Sequence, residues 1–308
     1  MSRSLDQTTL RHLALYYSSD DEFVESVGAF VREGLDTGES VMVAVPGAKV
    51  EWLREHAGAD AGDVSWFDMV ELGRNPARII PAIRGFIDAN PGRTARMVGE
   101  PIWRGRSDSE TIEGTHHEAL INLAFADADV TILCPYDLAL DGDTLCESHR
   151  THPLLVEGGR RLASESYSAD AVAEVGYDAL APAPGSVETF APSDDLLALR
   201  AALLERLEGI PISTVRRMDM LVAVNEAAGN ALRHTGQPAQ VRLWLENGSV
   251  VCEVAGGGHV QDPLAGRRAP LPSAESGRGL WMINQLCDLS QLRSDGSGTT
   301  LRLHMAIA

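Results

Sequence analysis

After a polar lead, the chain alternates wholly apolar stretches with amphipathic ones. His12 to Tyr17 (HLALYY) reads as a strand. Asp20 and Asp21 follow as N-cap candidates for a helix in which Phe23, Val27, Phe30 and Val31 recur at helical spacing, and Gly34 and Gly38 break it. Val41 to Val45 (VMVAV) has no polar position, the pattern of a parallel strand buried on both faces. The alternation continues. Val50–His56 reads as helix and Val64–Phe67 as strand. Pro76–Ala89 is a helix with proline at its start, Arg96–Gly99 a strand, Glu110–Ala126 a helix and Val130–Cys134 (VTILC) a strand. This order predicts an α/β domain with a mostly parallel sheet and right-handed crossovers.

The pattern changes at residues 166–193, which are rich in Ala, Pro, Ser and acid and read as a linker, most extended at APAPG. Asp194–Leu207 then forms an amphipathic helix. Ser213 or Thr214 can cap a second helix that runs to about Arg233. Gln240–Leu245 and Val250–Ala255 alternate as strands around Asn247-Gly248, a strong hairpin signal. A helix from Gly277 to Leu286 and two strands, Ser290–Arg293 and Thr299–Met305, close the chain. The expectation is two domains, 1–165 and 194–308, joined by the 166–193 linker. The second is an α+β sandwich with an antiparallel sheet covered by helices on one face.

Composition narrows the function classes. The 308 residues carry 26 Lys+Arg against 44 Asp+Glu, a net charge of −18 that repels phosphate backbones and argues against nucleic-acid binding. The four cysteines, Cys134, Cys146, Cys252 and Cys287, are scattered, and Cys134 and Cys252 sit in apolar runs, so they read as reduced core thiols. No signal peptide and no apolar run of membrane-spanning length is seen, so a cytoplasmic protein without membrane contact is expected.

Candidate chemistry concentrates in the second domain. Glu226, Asn230 and His234 fall four apart and share one helix face. Gly256-Gly257-Gly258 follows a strand directly, where a ligand can approach the backbone closely. Ser276-Gly277-Arg278-Gly279-Leu280 opens a helix whose free N–H groups can hold phosphate. Arg267 and Arg268, in the intervening loop, are placed to close over it. Period-2 alternation puts Thr299, Leu301 and Leu303 on the inward face, so Thr299 borders the pocket.

In the first domain no GxxxxGK[ST] phosphate loop is present. Its polar strand ends, Tyr17-Ser18-Ser19-Asp20, Gly99-Glu100-Pro101-Ile102-Trp103 and Cys134-Pro135-Tyr136-Asp137, are the natural place for a ligand. Cys146, His149 and His152 are spaced three apart with Cys134 upstream, a metal-like grouping. The missing fourth ligand and Pro153 directly after it favour structural residues. His116 and His117 are adjacent and make a poor ligand pair.

Two resemblances follow from these residues. RHLALYYSSDDEF, GESVMVAVP, GEPIW, HEALINLAFA, LCPYD and RTHPLL resemble the MEDS sensory domain over roughly residues 9–165. That resemblance implies a RecA-like module used for signal sensing or protein contact. The ordered set of E-x-x-x-N helix, strand–glycine turn, GxG helix start and GTT strand resembles the GHKL, or Bergerat, ATP-binding fold. Within it, NEAAGNALRHTG and SGRGLWMINQLCD are similar to bacterial anti-sigma factors that are serine kinases. The resemblance implies ATP and Mg²⁺ as cofactors, with Glu226 as general base and Asn230 as the Mg²⁺ ligand. Gly256, Gly258, Gly277, Arg278, Gly279, Leu280 and Thr299 would line the nucleotide site. The resemblance implies as partner a sigma factor, a STAS-type anti-anti-sigma protein, or both, and makes a homodimer possible.

One position departs from the family pattern. The strand-end Asp that grips the adenine amine falls at Gly256, and alternation turns Glu253 to the opposite face. Two other readings stay open: a non-catalytic sensor or scaffold acting through protein contacts, and a sensor histidine kinase. The linker lacks the long apolar heptads of a phospho-acceptor helix pair.

Overall fold

The computed structural model describes residues 10–171, 180–271, 273 and 277–307. The residues on which the signal-peptide reading rests at the extreme start, part of the linker (172–179) and Ser276 lie outside them. The chain divides into two compact units, Met1–Val175 and Gly176–Ala308.

The first unit runs β1 (Leu10–Tyr17), α1 (Asp20–Asp36), β2 (Ser40–Val45), α2 (Ala48–Ala57), β3 (Val64–Asp68), α3 (Met69–Leu72), α4 (Ile79–Ala89), β4 (Ala95–Gly99), α5 (Asp108–Ala124), β5 (Val130–Asp137), α6 (Gly142–Thr151), β6 (Leu154–Glu157) and β7 (Arg160–Ala163). Its seven-stranded sheet has the order β3-β2-β4-β5-β1-β6-β7, and every pairing is parallel except β6 with β7. The expected parallel α/β sheet is therefore present. Every residue of β2 is buried, as its unbroken apolar run requires. Alternation along β1 assigns Leu13, Leu15 and Tyr17 to a core shared with Phe23, Val27 and Phe30 of α1 and Val50 and Leu53 of α2. It turns His12 to the other face, where α5 packs.

Local details differ from the sequence reading. Ser19, not Asp20 or Asp21, caps α1, because its hydroxyl accepts from the Glu22 N–H while both aspartates sit in the first turn, favourable to the helix dipole. Pro76 opens a short 3₁₀ turn, Pro76–Arg78, and the α-helix begins only at Ile79. The β6–β7 hairpin was not anticipated. It turns through Gly158 and Gly159, both at positive φ.

The second unit runs β8 (Glu188–Phe190), α7 (Leu196–Glu208), α8 (Thr214–Thr235), β9 (Gln240–Glu246), β10 (Ser249–Gly256), α9 (Arg278–Leu286), β11 (Leu289–Asp295) and β12 (Gly298–Ala306). All pairings in its sheet, order β11-β12-β10-β9-β8, are antiparallel. Asn247 and Gly248 take positive φ in the β9–β10 turn, the mirror-image turn that their sequence calls for. Val241, Leu243, Cys252, Val254, Leu301 and Leu303 form the sheet's share of one core. Leu199, Leu203 and Leu207 of α7, Met220, Val224 and Ala228 of α8, and Ile283 of α9 cover it. The helices thus sit on one face.

The 166–193 stretch is not extended throughout. The Ser168 N–H bonds back to the Arg150 carbonyl, and Glu188–Phe190 adds an edge strand to β9, held by a Glu188–Arg206 ion pair and by Gln240 donating to the Phe190 carbonyl. A three-residue strand with alternating burial carries too little periodicity to stand out in sequence.

On the sheet's other face, Glu253 stands directly across from both Arg242 and Arg302. Arg302 Nε and Nη2 reach Glu253 Oε2 at 3.0 and 2.7 Å, and Arg242 Nε reaches Oε1 at 3.0 Å. Burial works against ionisation of Glu253, but the bonds from Arg242 and Arg302 outweigh it and hold the carboxyl below its usual range. A depressed folded pKa stabilises above the unfolded value and is lost as pH falls through the folded one. Removing one partner of a buried pair costs about 3–5 kcal/mol. Glu253→Ala should therefore lower amide-exchange protection of β9, β10 and β12 by roughly that energy at neutral pH, and the difference from wild type should shrink as pH falls below about 4.

Candidate functional site

In the second unit, helix α8 supplies the polar face predicted for it. Its apolar side, Met220, Leu221, Ala223, Val224, Ala227 and Ala228, is buried in the core, which leaves Glu226, Asn230 and His234 on the side toward the glycine-rich segments. Asn230 and His234 line an open cavity of about 610 Å³, and Gly256, Gly258, Gly277, Gly279, Leu280 and Thr299 line the same space. The ordered motifs, spread over 75 positions from Glu226 to Thr300, therefore converge on one site.

Glu226 stands beside the cavity at its α9 end. A Cβ on Gly279 would overlap Glu226 Oε1 and lie 2.9 Å from Asn230 Nδ2, so only glycine lets the first turn of α9 approach both side chains. Gly277 is the N-cap of α9, at φ +83 in the left-handed region, and the helix starts at Arg278. The first-turn N–H groups, with the positive end of the helix dipole, face the cavity wall formed by Gly277, Gly279 and Leu280. Arg278 is exposed and lies outside that wall. Thr299 Oγ1 donates to the Gly258 carbonyl at 3.1 Å and contacts Ser294 Oγ at 2.8 Å, tying the glycine segment after β10 to β12.

One expectation needs correction. Arg267 is buried and does not line the cavity, so it is no part of a lid; Arg268 does line the cavity, ion-paired with Asp262 at 2.9 Å. The sequence reading also missed Arg233, whose Nη2 donates to Glu226 Oε1 at 2.8 Å and to Asn230 Oδ1 at 2.5 Å. Its signal was present: Arg233 lies three and seven positions beyond Asn230 and Glu226, on the same helix face.

The residues fit a nucleotide unevenly. At the phosphate end are a carboxylate, an amide oxygen of the hard type Mg²⁺ takes, and a glycine-built helix start. At the base end, Gly256 offers no side chain and Glu253 is held on the opposite face. A Cβ at 256 would stand 3.0 Å from Ala231 Cβ and 3.7 Å from Ala239 Cβ, so any side chain there needs a small outward shift of α8.

In the first unit, the carboxyl ends of the parallel strands converge as expected. Tyr17 of β1 donates to Glu100 Oε1 at 2.7 Å, just past β4, and Lys49 Nζ reaches the same oxygen at 2.6 Å from the first turn of α2. Lys49 also lies over the Tyr17 and Phe23 rings at 4.7 and 4.6 Å. Glu100 is fully buried, and that burial raises its carboxyl pKa against the pull of Lys49. Burial, then the Glu100 charge, raises the Tyr17 phenol. Asp137, at the end of β5, pairs with Arg104 at 2.8 Å. Lys49 was not singled out in the sequence because PGAK lacks any phosphate-loop pattern.

The grouping of Cys146, His149 and His152 does not assemble. Cys146 is exposed, and His149 stacks on Tyr16 at 4.9 Å.

Fold and site together define a parallel-sheet α/β domain joined to an ATPase-type sandwich with its pocket between α8, α9 and the sheet. Residues 11–153 match the family model of the methanogen/methylotroph DcmR sensory domain, MEDS, and residues 191–305 match the histidine kinase-like ATPase domain. The chain is therefore a MEDS sensory domain fused to a GHKL-type ATPase domain. No curated protein matches it. Among the described residues no helix is long and apolar enough to cross a membrane.

The approach at Gly279 yields a prediction. The groups a methyl would strike are the far ends of Glu226 and Asn230, so Gly279→Ala should displace those two side chains while the fold survives. Mg²⁺–ATP affinity, read by calorimetry, should fall about tenfold or more, a loss of at least ~1.4 kcal/mol. Gly296→Ala, where an added Cβ meets nothing within 4 Å, is the control and should change little.

Proposed function

We propose that the chain is a cytoplasmic bacterial regulator of the partner-switching type, in which the sensory domain governs an anti-sigma factor and serine kinase-like domain. The observation that carries this reading is the meeting of Glu226 and Asn230 with Gly279 at the start of α9, beside a cavity large enough for a nucleotide. In this reading Glu226 accepts the proton of a serine hydroxyl on a STAS-type anti-anti-sigma protein, and Asn230 offers its amide oxygen to Mg²⁺. Bound ATP supplies the phosphoryl group. Arg233 occupies both Glu226 Oε1 and Asn230 Oδ1, so freeing Asn230 for Mg²⁺ and Glu226 for the serine proton requires Arg233 to move aside. A sigma factor is the second partner, and a homodimer the working form.

A specific observation favours a second reading. Gly256 offers no base-gripping carboxylate, which suits a scaffold that acts through contacts alone. The histidine kinase reading is the weakest: among the described residues between Ala163 and Leu196 there is no pair of long helices.

A phosphotransfer assay with Mg²⁺–ATP and a serine-bearing STAS protein separates the readings. The kinase reading predicts acid-stable phosphoserine that Glu226→Gln reduces by about 10²–10⁴-fold, the usual worth of a general base. The scaffold reading predicts a stable complex with no transfer. Acid-labile phosphohistidine on the chain itself would overturn both.

A further inference from the structure

His12, Glu118, Cys134 and His152 lie far apart in sequence and meet inside the first unit. His12 and Cys134 come from the adjacent parallel strands β1 and β5, Glu118 from α5, which covers that face, and His152 from the residue capping the end of α6. All four side chains are fully buried, at 0 or 1 % exposure. One ligand atom from each lies within 4.8 Å of the others. Glu118 Oε2 is the hub, 3.1 Å from His12 Nε2, 3.5 Å from His152 Nε2 and 3.3 Å from Cys134 Sγ, while Cys134 Sγ is 3.4 Å from His12 Nε2.

Hydrogen bonds around the cluster aim both imidazoles inward. Asn122 Nδ2 donates to the Thr151 carbonyl at 2.7 Å, which turns Asn122 Oδ1 toward His12 Nδ1, 3.1 Å away. That oxygen only accepts, so His12 carries its proton on Nδ1. His152 Nδ1 lies 2.8 Å from the Ser148 carbonyl, also purely an acceptor, so it too carries its proton there. Two Nε2 atoms therefore point at one carboxylate oxygen. Such outer bonds are what fix the tautomer of metal-binding histidines.

Protons alone do not satisfy this arrangement. One added proton between His12 and Glu118 leaves His152 Nε2 buried without a hydrogen-bond partner. Protonating both rings places two cations in rings whose centroids are 4.0 Å apart. A single cation at the centre satisfies the four converging atoms together. Tetrahedral bonds of about 2.0–2.3 Å set ligand atoms about 3.3–3.8 Å apart, close to the spacings around Glu118 Oε2.

The geometry points to a closed His₂-Glu-Cys site for a divalent transition-metal ion of borderline softness, Zn²⁺ being the best match, with Asn122 and the Ser148 carbonyl as positioning groups. Binding forms four bonds and breaks one, the Cys134 S–H, whose proton leaves to solvent. The site's charge then goes from −1, with Glu118 ionised, to zero. This assignment is independent of the nucleotide pocket and does not rest on the kinase reading.

Cobalt(II) is the probe. The full chain, stripped with chelator and refolded with one equivalent of Co²⁺, should show an intense four-coordinate visible spectrum and a thiolate-to-cobalt charge-transfer band, both displaced by Zn²⁺. Cys134→Ser should remove the charge-transfer band, while Cys146→Ser and Asn230→Ala keep it. Asn122→Ala should weaken affinity by about 10–100-fold with the band intact. Absence of the band in the wild-type chain, or its loss in Cys146→Ser with retention in Cys134→Ser, overturns the assignment. Because the wild-type spectrum is decisive by itself, the test stands even if a core variant fails to fold.

Discussion

Helix α8 approaches the sheet and α9 so closely that side chains must be absent where they meet, and the pocket's form follows from that. The helix buries Ala223, Ala227, Ala228 and Gly229 beside its larger Met220, Leu221 and Val224. Small residues let the backbones draw together. Across the interface, Gly279 admits Glu226 and Asn230, and Gly256 sits beneath Ala231. Had either glycine a side chain, α8 would have to shift or its polar groups swing away. The polar face is thus fixed by packing on its opposite side, a link from sequence to chemistry that runs through the core.

The same approach gives the departure at Gly256 a structural meaning. Position 256 is tightly roofed by Ala231, while Asn230, Gly277 and Gly279 line the same cavity and Glu226 stands beside it. Selectivity for a base and grip on phosphates are separable in this fold because different elements supply them, β10 for the first and α8 with the start of α9 for the second. The first unit contrasts with this open pocket. Its polar groups are the Tyr17–Lys49–Glu100 set at the strand ends, where Lys49 is half-buried, and the fully buried His12–Glu118–Cys134–His152 cluster against α5, where each contact is electrostatically strong and each gap costly.

Long periodic segments were legible in the sequence for a plain reason. The unbroken run of β2, the alternation of β9 and β10 and the four-residue spacing on α8 each repeat enough times to exclude other structures. Glu253, turned from the pocket by alternation, stands where period-2 arithmetic put it. Short elements escaped. β8 offers three residues, and the β6–β7 hairpin offers two four-residue strands around a glycine pair. Arg267 was misread because loop residues have no period to show which way they face. Spacing was also a poor guide to the buried cluster. It grouped Cys146, His149 and, upstream, Cys134 with His152; of these only Cys134 of β5 lies with His152, beside His12 of β1 and Glu118 of α5. Such a site is written in the topology of the sheet.

The central claim is a pocket whose phosphate end is intact and whose base anchor is missing. Calorimetric binding of Mg²⁺–ATP to the intact chain, beside Gly256→Asp and Gly256→Asp with Ala231→Gly to relieve the contact, tests it most directly. A regained charge-assisted hydrogen bond is worth about 1.5–3 kcal/mol, so affinity should rise by roughly ten- to a hundred-fold over a weakly binding wild type, with the paired variant the tighter. Micromolar binding by the wild type, with no improvement in either variant, would contradict the account.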